Sequence, residues 1–273
     1  MVEYSVRANI WGEFPPIVRL FHWHESRKKA VHVGTAFLTS TTNGNCFLVT
    51  AKHCILPCAD KNVFATFEKQ KTGKLVTVDL KNMPFKLHPH LDVCASFLLP
   101  DPGFFDGYAD MLDGQRILAA EPAAQTPLFG HEIFQIAGFI ASKNKLRRST
   151  DNDLHGHQIS LGPARRHNTD HCADHWHRDL DLKKMFDDDG QSIARNFIRS
   201  PDGMSGGPLV RYQSHNGQIQ GKLAGIFTRW DKRQKLASGI HWAPIARWLN
   251  QFQIEMDQLR MKVLQEMHRQ PTA

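Results

Sequence analysis

One serine in this chain stands in a setting that can make it reactive: Ser200-Pro-Asp-Gly-Met-Ser-Gly-Gly-Pro-Leu-Val210. Glycines on both sides of Ser205 allow a sharp turn that leaves the hydroxyl exposed. The backbone N–H groups of Gly203 and Ser205 can then converge on one point, as stabilisation of an oxyanion requires. A serine alone is a weak nucleophile near neutral pH; it needs a base, and the base needs an orienting partner. Two upstream stretches hold those residue types. Phe47-Leu-Val-Thr-Ala-Lys-His-Cys54 is an apolar run that ends at His53, and His90-Leu-Asp-Val-Cys-Ala-Ser-Phe-Leu-Leu99 places Asp92 at the head of another. Taken singly, a serine in a glycine-rich turn is a turn residue and an aspartate before a strand is a cap. Together, in the order histidine, aspartate, serine and each beside a strand, they point to nucleophilic catalysis.

The elements that must position them read as short strands. Residues 17–23 alternate well enough for a strand, 25–29 are a polar turn, and 30–40 form the next strand. Residues 41–45 turn with an Asn-Gly signal, and 47–50 lead to His53. Residues 63–68 and 75–80 read as a hairpin around 71–74, 93–99 close the first half, and 132–141 open the second. Residues 100–128, rich in Pro, Gly and Asp, read as a connection. Many short strands separated by turn signals predict an all-β barrel or sandwich. From Pro244 to about His268 the pattern changes to a helix. Proline suits its first turn, and Leu249, Phe252, Met256, Leu259, Val263 and Met267 recur at intervals of three and four.

In its motifs the chain resembles the chymotrypsin-fold (trypsin-like) serine proteases. Thr50-Ala-Lys-His-Cys54 is similar to the family's T-A-x-H-C, Asp92 and its apolar run to the aspartate motif, and Gly203-Met-Ser-Gly-Gly-Pro208 to G-x-S-G-G-P. Gly34-Thr-Ala-Phe-Leu38, Ile136-Ala-Gly-Phe139 and Gly225-Ile-Phe-Thr-Arg-Trp230 resemble the family strands before the histidine, at the start of the second half and along the cleft. The likeness spans roughly residues 17 to 250. It implies an all-β chain of two six-stranded antiparallel β-barrels with a long C-terminal helix. Residues 1–120 would carry His53 and Asp92, 121–243 would carry Ser205, and 244–273 would be helix and tail. The implied function is a serine endopeptidase: Ser205 attacks, His53 moves the proton, Asp92 orients His53, and the Gly203 and Ser205 N–H groups form the oxyanion hole. The alternative is a module on the same fold that binds a peptide or partner without cutting. No cofactor is required, and the partner is a protein or peptide substrate. The first half of the C-terminal helix would pack on the second barrel, as in the family. The second half, longer than that needs, either packs on the domain or pairs with a partner, a candidate seat for an activating protein.

The resemblance also sets expectations for specificity and processing. Counting back from the serine puts Arg199 at the base of the primary pocket, with Asp202 close by and the far wall around residues 239–242. If Arg199 and His241 face one pocket, they favour an acidic side chain. If Arg199 points to solvent, Trp230 shapes a mainly apolar pocket, and Asp202 keeps a basic preference open. Thr228 matches a family serine that supports the aspartate and the cleft. Met204 stands where secreted relatives carry an aspartate that pairs with a processed N-terminal amine, and no I-V-G-G-like start is visible. The full-length chain is therefore expected to be competent without cleavage.

Composition narrows the classes further. The 273 residues are 41% hydrophobic, which permits a substantial core. The net charge of +7 allows contact with acidic surfaces, but no arginine-rich run or RNA-binding signature accompanies it, so nucleic acid is not an expected partner. Five irregularly spaced cysteines make a poor disulfide framework. Secreted members of the family pair the cysteine after the histidine with one just before the glycine of the preceding strand; here Cys54 is present and Val33 holds the other position. With no signal peptide and no apolar run of about 18 residues, a cytoplasmic, reduced protein with no membrane span is expected. His155, His157, His167, His171, Cys172, His175 and His177 crowd residues 155–177. On a helix, His167, His171 and His175 would share a face, but no complete zinc spacing is present. The expectation is a polar surface insertion that binds no metal.

Overall fold

The computed structural model describes residues 15–27, 29–41, 45–58, 61–68, 75–81, 83–98, 118–119, 133–141, 156–164, 173–186, 200–215 and 218–269. The first half holds strands β1 (Ile17–His24), β2 (Lys29–Ser40), β3 (Cys46–Thr50), β4 (Val63–Glu68), β5 (Leu75–Asp79), β6 (Lys86–Leu87) and β7 (Cys94–Leu98). They pair antiparallel in the order β5-β4-β1-β2-β3-β7-β6, and β8 (Leu118–Ala119) lies parallel to the end of β2. The second half holds β9 (Ile133–Phe139), β10 (Gly156–Ala164), β11 (His175–Phe186), β12 (Pro208–His215), β13 (Gln218–Asp231) and β14 (Leu236–His241). These close a six-stranded barrel, β10-β11-β14-β13-β12-β9, with every pairing antiparallel. A one-turn helix α1 (Lys52–Ile55) follows β3, and α2 (Trp242–Arg269) ends the chain. One closed six-stranded barrel, a second sheet of eight strands where a six-stranded barrel was expected, and a C-terminal helix make a mostly β architecture that fits the chymotrypsin-like fold.

Side chains explain the layers. Val18 and Leu20 of β1, Ala36 and Leu38 of β2 and Leu48 of β3 alternate inward and fill the first unit with Phe67, Val78 and Leu98. Ile136, Ile159, Trp176, Leu180, Leu209 and Phe227 fill the second. A third cluster lies between the units and beneath α2, where Phe37, Phe47 and Phe97 of the first sheet meet Tyr212, Ile226 and Ile240 of the barrel. Trp242, Ile245, Leu249 and Phe252 of α2 close it; Phe252 lies 5.6 Å from the Phe47 ring and Trp242 5.9 Å from Phe37. Each such burial contributes roughly 1.5–3 kcal/mol. The helix therefore wedges both units together rather than packing on the second alone. An ion pair from Lys86 of β6 to Glu255 adds to this hold. Beyond Met256 the apolar stripe runs on, but Leu259 and Val263 are 54% and 42% exposed, so the second half of α2 does not pack on the described residues.

Two expectations are corrected. The helix starts at Trp242, two residues early, so Pro244 lies inside its first turn, where a missing N–H leaves nothing unpaired. More important, residues 156–164 and 175–186 are not a surface insertion: they supply β10 and β11. Their pairing slips between Ile159 and Leu161 and again before Ala164, and Gln158, beside the core residue Ile159, is buried despite being polar. Both features spoil the two-residue alternation that marks a strand. His175 lies on β11, so a helical face shared with His167 and His171 is not formed; those two residues, His155 and Cys172 lie outside the described residues, as does the 100–128 connection apart from β8. No described helix is long and apolar enough to cross a membrane.

Candidate active site

His53 sits on α1, the single turn at the end of β3, and Asp92 on the loop between β6 and β7. Cys54 points inward and is buried, so its neighbour His53 turns outward. Asp92 is engaged by both of its oxygens: the His53 backbone N–H donates to Oδ1 at 3.1 Å and the ring Nδ1 to Oδ2 at 2.6 Å. A proton on Nδ1 leaves Nε2 free to act as a base. The Asp92 hydrogen bond, then the Cys54 sulfur, pushes the imidazole above its ordinary value of 6.5 against the opposing effect of partial burial. Burial alone would lift the Asp92 carboxyl, but the hydrogen bonds and charge of His53 outweigh it and hold Asp92 below the ordinary carboxylate range. The loop carrying Asp92 is folded around His88, whose Nδ1 accepts from the backbone N–H groups of His90 and Leu91 at 3.2 and 3.0 Å. The His88 carbonyl accepts from Lys52 Nζ at 2.7 Å, tying this loop to α1. Nothing in the local residue pattern singled out His88.

The turn bearing Ser205 is pinned to both units. Ser205 C=O accepts from Thr35 N–H of β2 at 2.8 Å, and the Gly206 N–H donates to Phe227 C=O of β13 at 2.8 Å. Gly206 has φ +87°, and a Cβ there would lie 2.1 Å from the Thr35 carbonyl oxygen and 2.3 Å from Thr50 Oγ1. Backbone and a buried strand leave no room to yield, so Gly206→Ala is expected to destabilise the protein by about 3 kcal/mol or more. Urea denaturation checks this; a midpoint equal to wild type would contradict it. Among the described residues, no acceptor takes the N–H of Gly203 or of Ser205. The Ser205 hydroxyl donates to the Thr228 carbonyl at 3.0 Å rather than to His53.

The other residues singled out fall differently. The Thr228 hydroxyl donates to the Ser238 carbonyl at 3.3 Å, so Thr228 meets Ser205 through its backbone, not its side chain. Trp230, near the end of β13, packs against the barrel core. His241 is on β14; desolvation and the charge of Arg178 push its imidazole below the ordinary value, so at neutral pH it is uncharged. Arg199 lies outside the described residues. Met204 is fully buried in the barrel's apolar cluster. Cys54 and Cys94 are free thiols. Residues not foreseen include Thr35 and His32 of β2, both bonded to the Gly203 carbonyl at 2.9 Å. Buried His177 of β11 also pairs with Ser238 Oγ at 2.8 Å, behind Thr228. Thr35 was read only as part of a strand, and His177 only as one of a histidine-rich run.

No family model matches the sequence, and no curated protein matches it. Among solved structures, the active form of the Rv3671c protease from M. tuberculosis is similar over 86% of this chain and 79% of that one, with 14% identity and a TM-score of 0.44. A catalytically inactive tobacco etch virus protease complexed with substrate is similar over 85% of this chain and 80% of that one, with 12% identity and a TM-score of 0.43.

Proposed function

We propose that this chain is a serine endopeptidase that cuts through an acyl-enzyme intermediate. The observation that supports it best is the double hydrogen bond from His53 to Asp92, which orients the ring so that, in its neutral form, Nε2 is the nitrogen available as general base. In the reaction, the Ser205 hydroxyl exchanges the Thr228 carbonyl for His53 Nε2, gives up its proton there and attacks the scissile carbonyl. The Gly203 and Ser205 N–H groups receive the charge that develops on the carbonyl oxygen. His53 then passes the proton to the leaving amine, and water repeats the sequence to release the acyl group. Asp92 holds the ring and stabilises the imidazolium throughout.

A second reading, a peptide- or partner-binding module that does not cut, draws on the resting Ser205 hydroxyl, which is bonded to Thr228 and not to His53. Labelling with a fluorophosphonate probe separates the two. The endopeptidase labels at Ser205, and the Ser205→Ala protein does not. A folded wild-type protein that resists the probe would leave the binding module.

For substrate preference, Arg199, which lies outside the described residues, and His241 would favour an acidic residue before the cut if both face the pocket; if Arg199 points to solvent, Trp230 shapes a mainly apolar one. With His241 neutral, the charge has to come from Arg199. A peptide library scanned at that residue is expected to show cleavage after Glu or Asp. Efficient cleavage after Lys or Arg, with none after acidic residues, would overturn this preference.

A further inference from the structure

Between β1 and the Ser205 turn lies a buried polar chain that the proposed chemistry does not use directly. Arg19 of β1 is 1% exposed, and burial pushes its guanidinium down to about 10, so it stays charged at neutral pH. No carboxylate pairs with it among the described residues; its Nε–H donates to His32 Nδ1 at 3.1 Å and one terminal nitrogen has no partner there. Burying a charge without a counter-ion is costly, and the contact obtained here is with His32. The register of β1 against β2 slips at this point, with Leu20 opposite Gly34 but Phe21 opposite His32. A bulge of this kind re-aims side chains, and this one turns His32 toward Gly203.

The tautomer follows from donor and acceptor types. Arg19 Nε–H can only donate, so His32 Nδ1 accepts, and the single ring proton of a neutral imidazole sits on Nε2. Nε2–H then donates to the Gly203 carbonyl at 2.9 Å. Thr35 Oγ1 donates to the same oxygen at 2.9 Å and itself accepts from Phe139 N–H at 3.0 Å. Burial, opposed by the Gly203 hydrogen bond and reinforced by the Arg19 charge, holds the His32 imidazole down to about 4, which keeps it neutral.

The peptide before Gly203 is held as well, because the Asp202 carbonyl accepts from Ala141 N–H at 2.8 Å. In a trans peptide the C=O and N–H point opposite ways, so the Gly203 N–H is turned away from Ala141. Gly203 has φ +97°, and a Cβ on it would lie 2.5 Å from His32 Nε2, so the ring packs where only glycine leaves room.

We propose that Arg19 and His32 are positioning residues for the oxyanion hole: Arg19 sets the tautomer of His32, and His32 with Thr35 anchors the Gly203 carbonyl so that the Gly203 N–H faces the reacting centre. This rests on the reading of Ser205 as nucleophile. The test is the rate of fluorophosphonate labelling, resolved into probe affinity and maximal rate, with urea denaturation of each variant alongside. His32→Leu keeps bulk but loses the donor, and its maximal rate is expected to fall about 10²-fold with probe affinity little changed. Glutamine can place an amide N–H near the site of Nε2 and still accept from Arg19, whereas asparagine is too short to reach Gly203. His32→Gln should therefore recover to within about tenfold of wild type, and His32→Asn should stay slow. Arg19→Met frees the tautomer and should cost about tenfold.

Wild-type labelling by folded His32→Leu overturns the proposal, and so does equal labelling by the glutamine and asparagine variants. If His32→Leu does not fold, the glutamine–asparagine pair decides the question. If wild-type protein is not labelled, or Ser205→Ala labels equally well, it is the reading of the site that fails instead.

Discussion

Ser205→Ala is expected to lower peptide turnover by roughly 10⁶-fold, and His53→Ala by about the same amount. The two losses should not add, because each removes the same event: attack by a hydroxyl whose proton has somewhere to go. Without Ser205 there is no covalent intermediate. Without His53 the hydroxyl keeps its proton, and the Thr228 carbonyl it now meets at 3.0 Å can accept a hydrogen bond but cannot take a proton from it. What remains, roughly 10³–10⁴-fold over water, comes from the oxyanion donors and substrate binding. Kinetics of both single variants and the double variant check this. A Ser205→Ala protein that cleaves at the wild-type rate would rule out the triad, and a double variant far worse than either single would mean the residues act independently.

Asp92→Asn is expected to cost on the order of 10⁴-fold, the scale known for loss of this carboxylate in a triad. Asparagine can turn an N–H₂ toward the ring, which would then accept through Nδ1 and carry its proton on Nε2, the wrong nitrogen for a base. The same change should appear in the pH profile. In wild type the Asp92 hydrogen bond and the Cys54 sulfur raise the His53 pKa above 6.5. The base works only when neutral, so a raised pKa means that activity is lost as pH falls through a value above 6.5, by about tenfold per unit below it. Asp92 remains ionised across that range, since His53 holds its pKa down. In Asp92→Asn the charge is gone, so the acid limb should move down toward the ordinary histidine value while the whole curve drops. An acid limb of kcat/KM below pH 6 in wild type, or an unmoved limb in the variant, would contradict this account.

Much of the site was legible along the chain because its chemistry is local. Glycines on either side of Ser205, an apolar run before His53 and another after Asp92 are features of neighbouring residues, and neighbours alone make a turn or a strand. The same holds for β1 to β5, for β7 and for α2, whose apolar spacing repeats cleanly. Legibility failed at β10 and β11, where slipped pairing and a buried glutamine erase the alternation. Arg199 lies outside the described residues, and its place in a pocket depends on how residues distant in sequence fold around it.

By itself, then, the sequence determined which residue types stand at which turns, the mostly β character, and the helix at the end. Only the tertiary structure decided which side chains meet. It paired His53 with Asp92 through two hydrogen bonds, turned the Thr228 hydroxyl to Ser238 rather than to the site, and left the far half of α2 exposed. It also joined Arg19 and His32 to Gly203, across contacts separated by 13 and 171 residues. The physical reason is that a hydrogen bond depends on distance and direction in space, and for residues far apart in the chain those are set by strand register and by the packing of one sheet on another.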